Sequence, residues 1–258
     1  MNLGINGQKF LVTGASDGFG REVARTLFNE GAHVIAVARN KEKLDNLKKE
    51  TGGNITIISG DLFDDIFLDE LLNEIKNVSL DGVFVNAGGP SPMGFLESEM
   101  TDWDRAYKTV VRWKLKLVKT LLPQLIRQKY GRILFLESAS VFQPVDNLVL
   151  SNSLRMAIAG AAKTLSFEVA DKGITVNLIA PGFHKTSAVD RIINKKSESD
   201  NISNEEAEQH ITSSIPVGYA GNPAHLASLA VWLLSPLSDY VTGKTYILDG
   251  GNTRFSLG

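Results

Sequence analysis

Short apolar runs alternate with charged segments of helical period along most of this 258-residue chain. Segments such as Lys41–Glu50 and Asp64–Lys76 show helical spacing and separate the runs that we predict as strands. Repeated β-α units predict a parallel sheet with helices on both faces, because each crossover helix covers one side of the sheet. The candidate strands are Lys9–Val12, His33–Ala38, Asn54–Ser59, Gly82–Asn86, Arg132–Glu137, Gly173–Ile179 and Thr245–Leu248.

No linker, repeat or break in composition divides the chain. We therefore expect a single doubly wound, Rossmann-type α/β domain over residues 1–258, with a parallel sheet of about seven strands. One stretch, Lys195–Glu208, is polar and has few apolar residues. It lies in a long connection between Pro181 and Pro216, and we predict a mobile substrate lid around residues 187–215.

The composition excludes several function classes. Lys and Arg number 27 against 29 Asp and Glu, so no general attraction to nucleic acid or to a membrane follows, and we predict neither as a partner. The chain has no cysteine, which excludes disulfides and thiolate nucleophiles, and its scattered histidines predict no metal site. The N-terminus resembles no signal peptide, and no apolar run reaches about 18 residues, so we expect a cytoplasmic protein.

A glycine cluster follows the first predicted strand and precedes a helix that we expect to begin near Arg21. Glycines allow a tight turn and a close backbone approach to a pyrophosphate, and the helix N-terminus supplies unpaired N–H groups. This context predicts a dinucleotide site, although a glycine-rich loop without a ligand stays open as the alternative. Asp17 within the cluster adds negative charge near the phosphates. The cluster reads Thr13-Gly14-Ala15-Ser16-Asp17-Gly18-Phe19-Gly20.

The residues after the second strand distinguish two cofactors. An acidic residue here would favour NAD by binding the ribose 2′-hydroxyl, whereas an arginine accommodates the 2′-phosphate of NADP. Arg39 lies in this region and no acidic residue does, which predicts NADP, with NAD as the alternative. The other interpretation is that Arg39 and Lys41 are only solvated charges at the start of a helix.

The order of these motifs resembles the short-chain dehydrogenase/reductase family, and most closely its 3-oxoacyl-acyl-carrier-protein reductases. Thr-Gly-x-x-x-Gly-x-Gly is the cofactor loop of that family, and Asn86-Ala87-Gly88 matches its motif after the fourth strand. The resemblance covers essentially the whole chain. It implies contacts of the pair Asp61-Leu62 with adenine and of Thr186 with the nicotinamide carboxamide. The implied cofactor-binding residues are Gly14, Ser16, Gly18, Phe19, Gly20, Arg39, Asp61, Leu62, Asn86, Ala87, Gly88, Arg155, Pro181, Gly182 and Thr186.

The resemblance also exposes an atypical active site. The family works with Asn, Ser, Tyr and Lys, and the matching positions here are Val110, Ser138, Ser151 and Arg155. In the family the tyrosine is the general acid/base, the lysine lowers its pKa, the serine binds the substrate carbonyl and the asparagine holds a relay water. The resemblance therefore implies a degenerate tetrad with Ser138, Ser151 and Arg155 as its catalytic residues.

The substitutions change what the site can do. A serine hydroxyl is far less acidic than a phenol, whose pKa is about 10, and it is shorter, so Ser151 is a poor proton donor. Val110 cannot bind a relay water. Arg155 keeps the positive charge and can bind ribose hydroxyls, with a geometry different from that of lysine. Ser151 could equally serve as an N-cap or a small packing residue.

Few other groups could replace the tyrosine. His184 follows Pro181-Gly182 and titrates near neutral pH, but we favour an exposed loop histidine. Glu137 adjoins Ser138, yet strand alternation predicts that its side chain points to the opposite face. Weaker candidates are Asp146, Gln143 and Tyr107.

Two function hypotheses remain. The first, which we favour, is an NADP-dependent reductase or dehydrogenase for a small-molecule carbonyl or alcohol, with 3-oxoacyl compounds among the candidates. The alternative is a catalytically impaired dinucleotide-binding protein that acts as a sensor, scaffold or partner subunit. The family's tetramers imply a homo-oligomer, tetramer or dimer, formed through helices Asp102–Gln128 and Ser151–Asp171. Gly160, Ala161 and Ala162 would permit close helix approach, or else pack on the sheet.

Overall fold

Seven parallel strands form one sheet in the order β3-β2-β1-β4-β5-β6-β7. The structure is a computed structural model, and it describes residues 2–255. This sheet confirms the predicted doubly wound α/β class, and each strand overlaps its predicted range. The strands are β1 Lys9–Thr13, β2 His33–Ala38, β3 Thr56–Ser59, β4 Gly82–Val85, β5 Gly131–Leu136, β6 Ile174–Pro181 and β7 Thr245–Leu248.

Helices cover both faces of the sheet, and none of those in the described part of the chain is long and apolar enough to cross a membrane. Strand β1 is buried on both faces of the sheet. Leu11 belongs to the hydrophobic core on one face, whereas Phe10 and Val12 belong to the core on the other. Strands buried on both faces are typical of parallel sheets. The helices are α1 Gly18–Asn29, α2 Lys41–Glu50, α3 Asp65–Ile75, α4 Met100–Tyr107, α5 Trp113–Gln128, α6 Val149–Val169, α7 Ser187–Asp200, α8 Asn204–Thr212 and α9 Pro223–Leu234.

The strand order reverses between β1 and β4, and this is where a crevice opens in such sheets. Thr13 fastens the two strand ends together. Its hydroxyl donates to the carbonyl oxygen of Asn86 at 2.8 Å and accepts from the Asn86 N–H at 2.8 Å. The glycine loop after β1 and the segment after β4 are therefore held side by side at the carboxyl edge of the sheet.

Helix α1 begins at Gly18, three residues before the predicted start near Arg21. The cause is Asp17, whose carboxylate accepts a hydrogen bond from the Gly18 N–H at 2.7 Å and caps the helix. The first turn of α1 therefore lies within the glycine cluster, and its N–H groups face the crevice edge.

The region predicted as a lid, residues 187–215, contains α7 and α8. Helix α7 has no buried residue, and α8 starts with a capping box in which Ser203 and Glu206 bond each other's backbone N–H. One side-chain bond joins α7 to the glycine loop, from the Ser187 hydroxyl to the Asp17 carboxylate at 2.9 Å. The lid itself stays a prediction.

Gly20 tests the packing of the glycine loop on its helix, because a Cβ at this position would overlap the carbonyl oxygen of Gly14. We expect Gly20→Ala to lower the free energy of unfolding by about 1–3 kcal/mol, the usual cost of overpacking. Urea unfolding followed by circular dichroism measures the change. Gly94→Ala is the control, since its Cβ would meet no atom closer than 3.6 Å. Equal stability of the two variants would contradict the tight contact.

Candidate active site

A cleft of about 510 Å³ lies at the carboxyl ends of the strands. Most residues predicted to bind the cofactor line it. Gly20 and Gly182 do not, because both are tightly packed against other residues: a Cβ on Gly182 would come 2.6 Å from the Cβ and 2.9 Å from the Cα of Asp249. The predicted residues along the cleft wall are Gly14, Ser16, Gly18, Phe19, Arg39, Asp61, Leu62, Asn86, Ala87, Gly88, Arg155, Pro181 and Thr186.

Positive charge gathers at the end of the cleft beside β2. Arg39 has a side chain 68% exposed, and its nearest carboxylate oxygen is that of Asp61 at 3.9 Å. Lys43, which sequence reasoning missed, also lines the cleft and pairs with Asp17. Lys41 bonds Asp45 within α2 at 2.8 Å and is absent from the cleft wall. The guanidinium of Arg39 is thus available to an anion.

Asp17 does not add a bare negative charge to this end. Its carboxylate accepts hydrogen bonds from Lys43, Ser187 and the Gly18 N–H. Burial alone would raise the pKa of Asp17, but these hydrogen bonds outweigh it and lower the pKa. The carboxylate therefore stays ionised as the cap of α1 and is neutralised by Lys43.

The opposite end of the cleft holds a buried ion cluster of Lys114, Glu137 and Arg155. The Glu137 carboxylate accepts from Lys114 Nζ at 2.5 Å and from Arg155 Nη1 at 2.9 Å. The side chains of Lys114 and Glu137 are 2% and 0% exposed. Only Glu137 and Arg155 line the cleft, so Lys114 supports them from behind.

The prediction that Glu137 points away from the site is wrong. Strand β5 ends at Leu136, so the alternation of side chains does not extend to Glu137, and both residues line the cleft. Lys114 was missed altogether. Its signal is the helical spacing of Val110, Lys114 and Leu117, which places a cation on the mostly apolar buried face of the helix.

Burial is the main cause that lowers the pKa of Lys114, and the neighbouring Arg155 lowers it further. The carboxylate of Glu137 opposes both effects. The cluster contains two cationic side chains and one carboxylate, so it carries surplus positive charge when Lys114 is protonated. Arg155 presents that charge to the cleft.

The two serines named as catalytic do not form the cleft wall. Ser151 is 8% exposed, and its hydroxyl oxygen accepts from Arg155 Nε at 2.9 Å. It lies inside α6, whose N-cap is Leu148, so the N-cap alternative for Ser151 is wrong. The Ser138 hydroxyl oxygen accepts from the Ser140 N–H at 3.2 Å, which leaves its own proton free to donate. Val110 is 1% exposed within a short π-helical segment, 108–112, between α4 and α5.

His184 is buried, not the exposed loop residue that we expected. It is 5% exposed, packs edge-on against Phe19 with ring centroids 5.1 Å apart, and has Nδ1 3.2 Å from the Gly182 carbonyl oxygen. Burial lowers the pKa of His184, so it is neutral near pH 7. It packs against Phe19 of the glycine loop and does not line the cleft.

Within residues 2–255, no cluster of His, Asp and Glu forms a metal site.

Comparison with known proteins identifies the family. The model described as "Enoyl-(Acyl carrier protein) reductase" matches residues 14–253. The 3-oxoacyl-[acyl-carrier-protein] reductase FabG of Rickettsia conorii is 32% identical over 250 residues, which cover 96% of this chain and 98% of that protein. This chain belongs to the short-chain dehydrogenase/reductase family. Nodulation protein G of a Rhizobium species is 31% identical over 254 residues, 96% of this chain and 97% of that protein.

Solved structures agree with this assignment. The L-sorbose reductase from Gluconobacter frateurii, in complex with NADPH and L-sorbose, has a TM-score of 0.92 at 26% identity and covers 98% of this chain and 99% of its own. An actinorhodin polyketide ketoreductase with NADPH has a TM-score of 0.89 at 27% identity, over 96% and 98%. The predicted oxidoreductase class is confirmed, and the predicted NADP cofactor agrees with both neighbours.

Proposed function

We propose that this protein is an NADP(H)-dependent reductase or dehydrogenase that acts on the carbonyl or alcohol group of a small molecule. One observation carries the proposal: the glycine loop, Arg39 and the guanidinium of Arg155 meet in one cleft at the switch point of the sheet. The named relatives and neighbours act on 3-oxoacyl, sorbose and polyketide carbonyls, so a carbonyl compound is the substrate class that we extend to this chain.

The cleft fits a phosphorylated dinucleotide. The N-terminus of α1 meets the glycine loop, where backbone N–H groups bind a pyrophosphate. Arg39 is exposed, with Asp61 at 3.9 Å and the centroid of the Phe63 ring at 5.8 Å, so its guanidinium would be available to the 2′-phosphate. Asp61 and Leu62 would contact adenine, and Thr186 the carboxamide. When bound, NADPH supplies a hydride to the substrate carbonyl carbon.

The side chains at the inner end bind and orient. Arg155, at the cleft wall, would hold the ribose and place positive charge beside the reacting carbonyl. Ser138 has a free hydroxyl proton but does not line the cleft, so its hydrogen bond to the carbonyl oxygen stays a prediction. No phenol stands at position 151, so fast general acid catalysis on ordinary ketones is not expected. Helices α7 and α8 would form the lid over this end.

The cofactor preference provides one prediction. We expect Arg39→Asp to reverse the preference, from NADPH to NADH, with NADPH affinity falling at least about tenfold, because a charge-assisted contact is lost and repulsion is added. Isothermal titration calorimetry with both cofactors measures the change. Arg25→Asp makes the same charge change on α1 at a residue that pairs with Glu22 and does not line the cleft, and it should leave both affinities unchanged. Equal binding of both cofactors by the natural protein would refute the assignment of Arg39.

Turnover provides a second prediction, measured as NADPH oxidation with a panel of aldehydes, ketones and 3-oxoacyl thioesters. We expect slow reduction by the natural protein and a faster rate in the double variant Ser151→Tyr/Arg155→Lys, which restores a phenol acid with a nearby ammonium. General acid catalysis contributes about 10²–10⁴-fold to a reaction rate, so the double variant should be faster than the natural protein by no more than this factor.

The single variant Ser151→Ala is the control and should lose less than about tenfold in rate, since that hydroxyl is not the general acid. Fast natural turnover that Ser151→Ala abolishes without weakening cofactor binding would show that the serine is catalytic. NADPH binding without any turnover across the panel would favour the alternative, a dinucleotide-binding sensor, scaffold or partner subunit.

We also propose that the protein is a homo-oligomer, tetramer or dimer. Met156 and Phe167 are 51% and 75% exposed on α6, on one face with Gly160, which has no neighbour within 4 Å. Ala162 instead packs into the core. Clustered exposed apolar side chains mark interaction sites. Light scattering at micromolar concentration should give a multiple of 28.1 kDa, reduced by Phe167→Asp but not by Ile66→Asp on α3. A monomeric mass would contradict the proposal.

A further inference from the structure

We propose that Lys114 and Glu137 are positioning residues that hold Arg155 as a cationic oxyanion site for the substrate carbonyl, in place of the family's phenol acid. The inference deepens the proposed function and rests on it. It concerns the buried ion cluster, of which Lys114 and Glu137 match no position of the family's Asn, Ser, Tyr and Lys set.

The guanidinium of Arg155 is fixed at two of its three nitrogens. Nη1 donates to Glu137 at 2.9 Å, and Nε donates to Ser151 at 2.9 Å. The third, Nη2, lies at the cleft wall beside Gly89, where a Cβ would come within 2.8 Å of it. A planar guanidinium held at two positions aims its remaining N–H groups in a set direction. Glu137 therefore decides where Nη2 points.

The cost of burying a second cation argues against a purely structural role for the cluster. Glu137 is already paired with Arg155, and Lys114 adds a further buried charge that must be desolvated. Buried ion pairs of this kind are often no more stable than apolar packing of the same volume. Surplus positive charge becomes favourable when negative charge develops beside it, as it does on a carbonyl oxygen that receives a hydride.

The chemistry balances with the reductant already proposed. The hydride comes from NADPH, the electron pair of the carbonyl double bond moves to oxygen, and the resulting alkoxide takes a proton from water. Arg155 Nη2 would bind that oxygen as its charge develops. Lys114 and Glu137 do not touch the substrate; they fix the guanidinium and set the net charge behind it.

A dependence on pH follows. The charged groups that face Lys114 are Glu137, at the end of β5, and Arg155, on α6. Burial lowers the pKa of Lys114. As the pH rises through the pKa of Lys114, the cluster loses its surplus charge, and turnover should fall.

The main test is Lys114→Met, with Lys116→Met as the matched control on the same helix, where Lys116 makes a surface pair with Asp69 at 2.5 Å. We expect Lys114→Met to fold with an unchanged or higher melting temperature. NADPH affinity measured by calorimetry should stay within about threefold, while kcat falls at least about tenfold and the loss of activity at high pH disappears. Lys116→Met should change none of these.

A second measurement needs neither cofactor nor turnover. In the unliganded protein, the Nε–H proton of Arg155 should give a sharp NMR signal that exchanges slowly with solvent. Glu137→Gln should broaden it or speed its exchange, because the Nη1 partner loses its charge. If Lys114→Met does not fold, Lys114→Gln replaces it, because glutamine keeps a donor for Glu137. This variant should show the same fall in kcat, and its activity should no longer decline at high pH.

The possible outcomes distinguish a failure of this inference from a failure of the proposed function. Turnover by the natural protein with rate and pH profile unchanged in Lys114→Met, or an Arg155 signal unchanged in Glu137→Gln, overturns this inference alone. NADPH binding without turnover of any carbonyl overturns the proposed function and this inference with it.

Discussion

The hydrogen-bonded pair of Thr13 and Asn86 fixes the place where everything else in the molecule converges. The two residues close the ends of β1 and β4, the neighbouring strands between which the sheet order reverses. Helices leave these two strands toward opposite faces, so the ends cannot be covered and a crevice remains. The glycine loop forms one wall of that crevice, and the segments after β4 and β5 extend it toward α6. The cleft is thus a consequence of topology before any side chain is considered.

Most of the fold was readable in the sequence, because buried parallel strands are short apolar runs that a helical period interrupts. The ranges of β2 and β7 were predicted without error. The predicted ends of helices were wrong where a single capping side chain, and not the hydrophobic pattern, decides where the helix begins. Asp17 caps α1 at Gly18, and no hydrophobic period reports a cap. The apolar environment of His184 is likewise invisible in sequence, since it comes from Phe19, far away along the chain.

The residues of the site also fall into those that the sequence predicted and those that it did not. Residues contributed by one local motif, such as the glycine loop or Asn86-Ala87-Gly88, were predicted and line the cleft. The ion cluster could not be predicted, because it joins three elements: α5, the end of β5 and α6. Alternation assigned Glu137 to the wrong side, since the strand ends one residue earlier. The one signal in the sequence, which was missed, is that Lys114 has the helical spacing of the apolar Val110 and Leu117.

The ion cluster also explains how the tyrosine and lysine positions can have changed together. Arginine at position 155 is longer than lysine, and a tyrosine at position 151 would compete with its Nε for the space that Ser151 leaves. A guanidinium without a fixed partner would find many orientations, so a nearby carboxylate is needed to select one, and Glu137 supplies it. Glu137 alone, however, would cancel the charge of Arg155. Lys114 restores that charge from behind, where it cannot obstruct the cleft. On this view Lys114, Glu137, Ser151 and Arg155 work as one unit: Ser151 and Glu137 set the direction of the guanidinium, and Lys114 sets the net charge behind it.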